Sequence, residues 1–239
     1  MNEVSVNTYV AKGFLAAEAM KTLRTNLMFS GVGIRAIGLT SYSVSEGKST
    51  VSFQLAASFA QADNRVLLLD ADLRKSVMWS RLNPEDRIKG LSHYLSGMAS
   101  LDDVICGTDI PGLSVVFSGV HVPNAAELLG SAVFRELILI LKQRFDYVIV
   151  NTPPLGQVID CAVIAPELDG VVLVIDTTKN SRRLERRLKN QLEKSRGKLL
   201  GVVLNRVDFK DKLTYYGKAY DRKYSCDEWL LPDRKKVRR

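Results

Sequence analysis

The chain has 239 residues, 46% of them hydrophobic, and a formal net charge of +8. That suffices for one large folded domain with a real core and excludes a disordered or collagen-like chain. No apolar run reaches the roughly 18 residues of a membrane span, and the start lacks the apolar stretch of a secretory leader.

Residues 1–13 read as a loose arm. From Phe14 to Phe29 the pattern is helical, with Leu15, Ala19, Leu23 and Leu27 in a stripe. Glu18, Lys21 and Arg24 recur every three residues on a neighbouring face. Such charges usually form a solvated face with weak pairing; the alternative is contact with another subunit.

A mostly apolar run, Ile34 to Leu39, predicts a strand, and a helix is expected over residues 50–62. Between them lies Thr40-Ser-Tyr-Ser-Val-Ser-Glu-Gly-Lys-Ser-Thr50. Gly47-Lys48-Ser49 closes a phosphate-binding loop in that setting. Gly47 lets backbone N–H groups approach phosphate oxygens, and the new helix points its N-terminal dipole at the anion. Lys48 would neutralise the β- and γ-phosphates, and the Ser49 hydroxyl would ligate Mg²⁺. The usual pattern wants Gly where this chain has Tyr42. On its own, Gly-Lys-Ser is also an ordinary turn before a helix; the strand before it and the helix after it favour the nucleotide loop.

The run Val66–Leu69 suits a parallel strand covered on both faces. Asp70 and Asp72 stand at its carboxyl end, where open α/β sheets place ligand chemistry. Two carboxylates beside a phosphate loop suit Mg²⁺ and proton handling; the plainer alternative is a cap for the next turn. Residues 75–112 look less regular, broken by Gly90, Gly97, Gly107 and Pro111-Gly112, with a short helix over Leu101–Cys106 capped by Ser100. Leu113–Phe117 reads as a strand, and Ala125–Arg144 as one amphipathic helix. Phe145 to Val150 is another buried strand, running through Asn151-Thr152 into Pro153-Pro154. Gly170–Ile175 is a strand, Ser181–Lys194 a basic helix, and Leu199–Leu204 a strand ending at Asn205-Arg206. Strands alternate with helices throughout, so the fold class is α/β with a mainly parallel sheet.

Cys106, Cys161 and Cys226 lie far apart with no C-x-x-C, which argues for a reducing compartment without a disulfide framework or zinc site. His93 and His121 are too isolated for a metal cluster. The basic excess favours an anionic contact, whether an inner-leaflet surface, nucleic acid or a nucleotide. Dispersed basic residues and the lack of a helix-turn-helix or aromatic platform speak against nucleic acid. The segment from Asp233 to Arg239 contributes much of the excess, and a solvated end accounts for it. Tyr215, Tyr216, Tyr220 and Tyr224 fall close together. Helical spacing could make the last three a core stripe, but Gly217, Lys218, Asp221, Arg222 and Lys223 leave few apolar partners.

Taken together, Glu46-Gly-Lys-Ser49, Leu67-Leu-Leu-Asp-Ala-Asp-Leu-Arg74 and Val148-Ile-Val-Asn-Thr-Pro-Pro154 resemble, in order and spacing, the bacterial tyrosine kinase family of capsular and exopolysaccharide synthesis. Glu18 to Asn26, Pro123-Asn124, Glu127-Leu-Leu129 and Gly201-Val-Val-Leu-Asn205 extend the likeness over nearly the whole chain. The resemblance implies a P-loop NTPase fold of the deviant Walker type. It divides the chain into an arm (1–13), a kinase domain (14–208) and a tyrosine-rich basic tail (209–239). It implies ATP and Mg²⁺ as cofactors, with Ser45, Glu46, Gly47, Lys48, Ser49 and Thr50 as the ATP loop and Asn205 at the adenine pocket. Ser49 and Asp70 would serve the metal. Asp70 would accept or polarise the tyrosine proton, with Asp72 in support and Asn151 acting through water. The tail tyrosines Tyr215, Tyr216, Tyr220 and Tyr224 would be autophosphorylated. Glu18, Lys21 and Arg24 match a subunit-contact motif of a ring-shaped homo-oligomer, with Lys21 replacing an Arg and loosening the contact. A membrane adaptor or activator of polysaccharide export, a cognate tyrosine phosphatase and a place at the cytoplasmic face of the membrane are implied as well. With only a short arm before the first helix, the chain looks like the type made separately from its membrane protein.

Two departures stand out. Val44-Ser45 replaces the Pro-Gly of many relatives, and Asn151 replaces an Asp. Asn keeps the shape but supplies no charge to Mg²⁺, so the expectation is weakened catalysis. A catalytically weak, ATP-binding regulatory subunit of a polysaccharide export or polymerisation complex is therefore the alternative. A partitioning-type ATPase is a further one, but that group carries an early lysine where this chain has Ser43.

Overall fold

The computed structural model describes residues 3–6, 13–78, 88–179 and 182–207, the side chains of 182–186 excepted. Tyr215, Tyr216, Tyr220, Tyr224 and the rest of the 209–239 segment lie outside the described residues.

Among the described residues, one sheet of eight strands has the order β1-β4-β5-β3-β6-β2-β7-β8. The strands are β1 (Glu3–Val4), β2 (Ala36–Ser41), β3 (Val66–Asp70), β4 (Cys106–Thr108), β5 (Leu113–Val116), β6 (Tyr147–Asn151), β7 (Gly170–Asp176) and β8 (Leu199–Asn205). All neighbours pair in parallel except β4 with β5. The helices are α1 (Phe14–Phe29), α2 (Lys48–Ala60), α3 (Leu91–Leu95), α4 (Leu101–Val104), α5 (Ala125–Leu129), α6 (Ala132–Arg144), α7 (Asp160–Ile164) and α8 (Arg182–Lys194).

Every residue of β2, β3 and β7 is buried, because helices cover both faces of the sheet. On one face, Ile37, Leu39, Leu68 and Ile149 pack with Val51, Leu55, Ala56 and Phe59 of α2. On the other, Leu67, Leu69, Val148, Val150 and Leu173 pack with Phe134, Leu137 and Leu141 of α6 and with Leu188 and Leu192 of α8. The alternation along each strand divides its apolar side chains between these two cores.

Three local expectations change. The 1–13 arm is not loose throughout: Glu3 and Val4 pair with Gly107 and Thr108, Val4 and Val6 are buried, and Asp109 accepts hydrogen bonds from Ser5 Oγ and Val6 N. The 125–144 stretch is two helices, because Ser131 caps a fresh start by accepting a hydrogen bond from Phe134 N. The glycine-broken region holds α3 and β4 as well as the expected Ser100-capped α4, which stops at Val104. Leu91 and Leu95 fix the short α3 in the core, which outweighs the local punctuation.

Candidate active site

The sheet order puts β3, β6 and β2 side by side, so their carboxyl ends meet. In register, Asp70 stands opposite Asn151, and Asn151 opposite Leu39 two residues before β2 ends. The loop from Tyr42 to Gly47 then carries the chain over these ends into α2.

Loop shape depends on two residues in the left-handed region, Ser45 (φ 61°) and Gly47 (φ 88°). A Cβ on Gly47 would also strike the Asn205 side chain. Glu46 is buried, and its carboxylate accepts from Tyr42 N and Ser43 N, both at 3.2 Å. Asn205 Nδ2 donates to the Glu46 carbonyl at 2.8 Å. Asn205 thus braces the phosphate loop from the end of β8 and does not line the cleft. Tyr42, in place of the usual Gly, is accommodated by a glycine elsewhere: a Cβ on Gly156 would collide with the Tyr42 carbonyl oxygen and ring.

Lys48 begins α2 and turns inward. Its Nζ donates to Asn151 Oδ1 at 3.0 Å and lies 4.0 Å from Asp72 Oδ2. Asn151 Oδ1 also accepts from Ser52 Oγ at 3.4 Å, and Asn151 Nδ2 donates to Asp70 Oδ1 at 2.8 Å. Asn151 therefore touches Lys48 and Asp70 directly. Ser76 Oγ donates to the other Asp70 oxygen. Asp72 Oδ1 accepts from Lys75 N at 3.0 Å.

Burial pulls the Lys48 ammonium below its ordinary value, with Asp72 and Asp70 opposing. An anion at the loop would favour the ammonium against that burial, which is what a phosphate site needs. Burial pushes the Asp70 carboxyl up to about 6, against hydrogen bonds from Ser76 and Asn151. Burial likewise raises the Cys161 thiol.

A cleft of about 250 Å³ opens over this cluster, lined by Ser45 through Thr50, by Asp72 to Lys75 without Leu73, and by Pro153, Pro154, Gln157 and Val158. Of the residues expected from sequence, the loop and Asp72 face it. Asp70 (0% exposed) and Asn151 (1%) lie behind it. Glu18, Lys21 and Arg24 are elsewhere: Lys21 pairs with Glu18 at 2.7 Å, and Arg24 Nη1 donates inward to the Ser58 carbonyl of α2. Arg24 thus serves packing of α1 on α2 within the chain.

Sequence reasoning missed Ser52, Ser76, Gly156 and Asp160 as site residues. Ser52 follows Lys48 by one helical turn, a spacing that could have found it. Nothing local marks Asp160, which meets Arg74 across 86 residues of chain.

The donor set is compatible with Mg²⁺. Among the described residues no three His, Cys, Asp or Glu side chains gather to hold a metal. A small ion that keeps its waters and takes phosphate oxygens needs only one or two protein oxygens, and Ser49 and Asp72 face the same cleft.

Residues 37–199 match the AAA domain family. The chain is 45% identical over 211 residues to tyrosine-protein kinase CpsD of Streptococcus agalactiae, covering 86% of this chain and 91% of that protein. The solved kinase domain of Escherichia coli tyrosine kinase ETK superposes with a TM-score of 0.78 at 33% identity, over 84% of this chain and 79% of that one. The solved chimerical protein CapA2B2 superposes with a TM-score of 0.79 at 31% identity, over 86% and 93%. At this identity, over most of both chains, the chain belongs to the bacterial tyrosine-protein kinase family.

Proposed function

We propose that the protein is an ATP-dependent protein-tyrosine autokinase of capsular or exopolysaccharide synthesis. The observation that carries this reading is Lys48: a buried ammonium at a loop–helix junction, held between Asn151 and Asp72 and facing a cleft lined by the Ser45–Thr50 loop. Lys48 binds the β- and γ-phosphates, and the α2 N-terminus adds its dipole. Ser49 and Asp72 would hold Mg²⁺, which would supply positive charge against the negative charge developing on the phosphates. Asp70 takes the tyrosine proton from behind Asp72, and Asn151 fixes Asp70 and Lys48 relative to each other. The acceptors are Tyr215, Tyr216, Tyr220 and Tyr224 of a neighbouring copy in a ring. Each phosphate adds a charge of about −1.5 to −2 and weakens ring packing; a phosphatase resets the cycle.

Among the described residues no helix is long and apolar enough to cross a membrane. Work at the inner membrane face goes through a membrane adaptor, whose cytoplasmic tail completes the ATP site. The similarity to a chimerical protein, CapA2B2, supports a two-component arrangement.

One observation favours a second reading. Asn151 is neutral at a buried site that borders Asp70 and Lys48, which suits ATP binding with little turnover, as in a regulatory subunit. Incubation with Mg²⁺ and labelled ATP, with and without adaptor, followed by peptide mass spectrometry, separates the two. Phosphate on the tail tyrosines is expected. Phosphate only on Tyr9, Tyr94 or Tyr147 refutes the tail assignment, and none at all favours the regulatory subunit.

A further inference from the structure

Arg74 and Asp160 join the two walls of the cleft. Arg74 Nε donates to Asp160 Oδ2 at 2.7 Å and Nη2 to Oδ1 at 2.9 Å, so both carboxylate oxygens are engaged. The Asp160 side chain is 0% exposed and that of Arg74 is 34% exposed. A buried carboxylate is costly unless paired, and a bidentate guanidinium is the partner that matches its geometry. One wall, the link after β3, carries Asp72, Arg74, Lys75 and Val77; the other, the link from β6 to α7, carries Pro153, Pro154, Gln157 and Val158. Asp160 is the first residue of α7, at the end of that second link.

The pair also lies close to Asp72. Arg74 lies two residues from Asp72, close enough for Asp72 and Glu127 to act on it electrostatically after Asp160 itself. Released from Asp160, the guanidinium has Asp72 as an alternative partner. That would draw Asp72 away from Lys48, 4.0 Å distant, and from the mouth of the cleft. We propose that Asp160 is a positioning residue: by holding Arg74 in a bidentate pair it keeps Asp72 free to face Lys48 and a nucleotide-bound divalent cation. This rests on the kinase reading for its purpose, but its physical content is metal affinity.

The test uses the full chain in three forms: parent, Asp160→Asn and Arg74→Gln/Asp160→Asn. Asp160→Asn keeps shape and one acceptor but frees the guanidinium; the double variant replaces the ion pair by two neutral amides. A fluorescent ATP analogue is titrated with Mg²⁺, and the half-saturating Mg²⁺ concentration is read. In Asp160→Asn it should rise about tenfold, the scale of losing an outer-shell partner of a metal site. In the double variant it should return most of the way to the parent value, because no stray cation then competes for Asp72. Thermal melting run beside it identifies any variant that has lost its fold; if Asp160→Asn does, Asp160→Glu, whose longer side chain spoils the bidentate geometry but keeps the charge, is read in its place against the same double variant, with the same rise expected. A half-saturating concentration unchanged in Asp160→Asn, or as poor or poorer in the double variant, overturns the proposal. Phosphotyrosine is measured in parallel: its absence from the parent counts against the kinase reading and leaves the Mg²⁺ result to decide the role of Asp160.

Discussion

Replacing Asn151 by aspartate should make the free protein less stable and the Mg²⁺–nucleotide complex tighter. Asn151 Nδ2 lies 2.8 Å from Asp70 Oδ1, and Asn151 Oδ1 lies 3.0 Å from Lys48 Nζ. A carboxylate there would repel Asp70 and attract Lys48 by about 6 kcal/mol each at an effective dielectric constant near 20, so the two nearly cancel. What remains is the lost hydrogen bond to a charged acceptor, about 2 kcal/mol. For a chain of this size that lowers the melting temperature by about 4–8 °C. With Mg²⁺ and nucleotide present, the added negative charge offsets the cation. Tenfold tighter binding would then return about 1.4 kcal/mol. Thermal melts of both proteins, with and without Mg²⁺–ATP analogue, measure each effect, and phosphotyrosine formation reports whether turnover rises. A variant as stable as the parent without nucleotide, or one with no larger nucleotide-linked shift, refutes the reasoning.

Lys48→Met should weaken ATP binding about 10- to 100-fold, the value of a charge-assisted hydrogen bond, without unfolding the domain, since burial already disfavours the ammonium; calorimetry with circular dichroism checks both halves. Gly156→Ala should lower stability by about 1–3 kcal/mol and weaken nucleotide binding, because its Cβ meets the Tyr42 backbone oxygen. Trimming the ring with Tyr42→Ala in addition should not rescue it, and rescue in a urea melt would show that the ring is the obstacle. Asp169→Asn should flatten the acid limb of stability. Burial alone would raise the Asp169 carboxyl, but hydrogen bonds from Lys142 and from the Ala36 and Arg35 amides outweigh it and hold the group below its ordinary value. A carboxyl depressed in the folded state stabilises above its unfolded value, near 3.9, and that contribution disappears as pH falls through the folded value. Urea melts between about pH 3 and 6 should therefore converge for parent and variant at the acid end and diverge above it.

The strand-and-helix alternation, the phosphate loop and the Asp70–Asp72 strand end were legible because each is a short-range pattern. Continuous apolar runs mark strands covered on both faces, and Gly-Lys-Ser followed by a helix marks an anion site. What escaped was decided by distant residues. Glu3 and Val4 became a strand because Asp109 anchors the segment behind them, and α3 formed because Leu91 and Leu95 reach the core. The helix expected over 125–144 broke at Ser131 because a hydroxyl cap competes with helix continuation, a signal present in the sequence but outweighed by the apolar period. In the site, Asn151 was identified but its contacts were not. Its bonds to Lys48 and Asp70 span 103 and 81 residues and depend on strand register, which local spacing does not reveal.

That register has a practical consequence. Side chains alternate along a strand, so a slip of one residue between β3 and β6 would turn Asn151 to the opposite face and leave Asp70 and Lys48 without their common partner. A misaligned sheet could keep its helices, its compactness and most of its circular dichroism while losing the site altogether. Nucleotide binding in this protein is therefore an assay of strand alignment: a refolded or mutated preparation that binds has its three central strands in native register, and a well-folded-looking preparation that does not bind should first be examined for a shifted sheet.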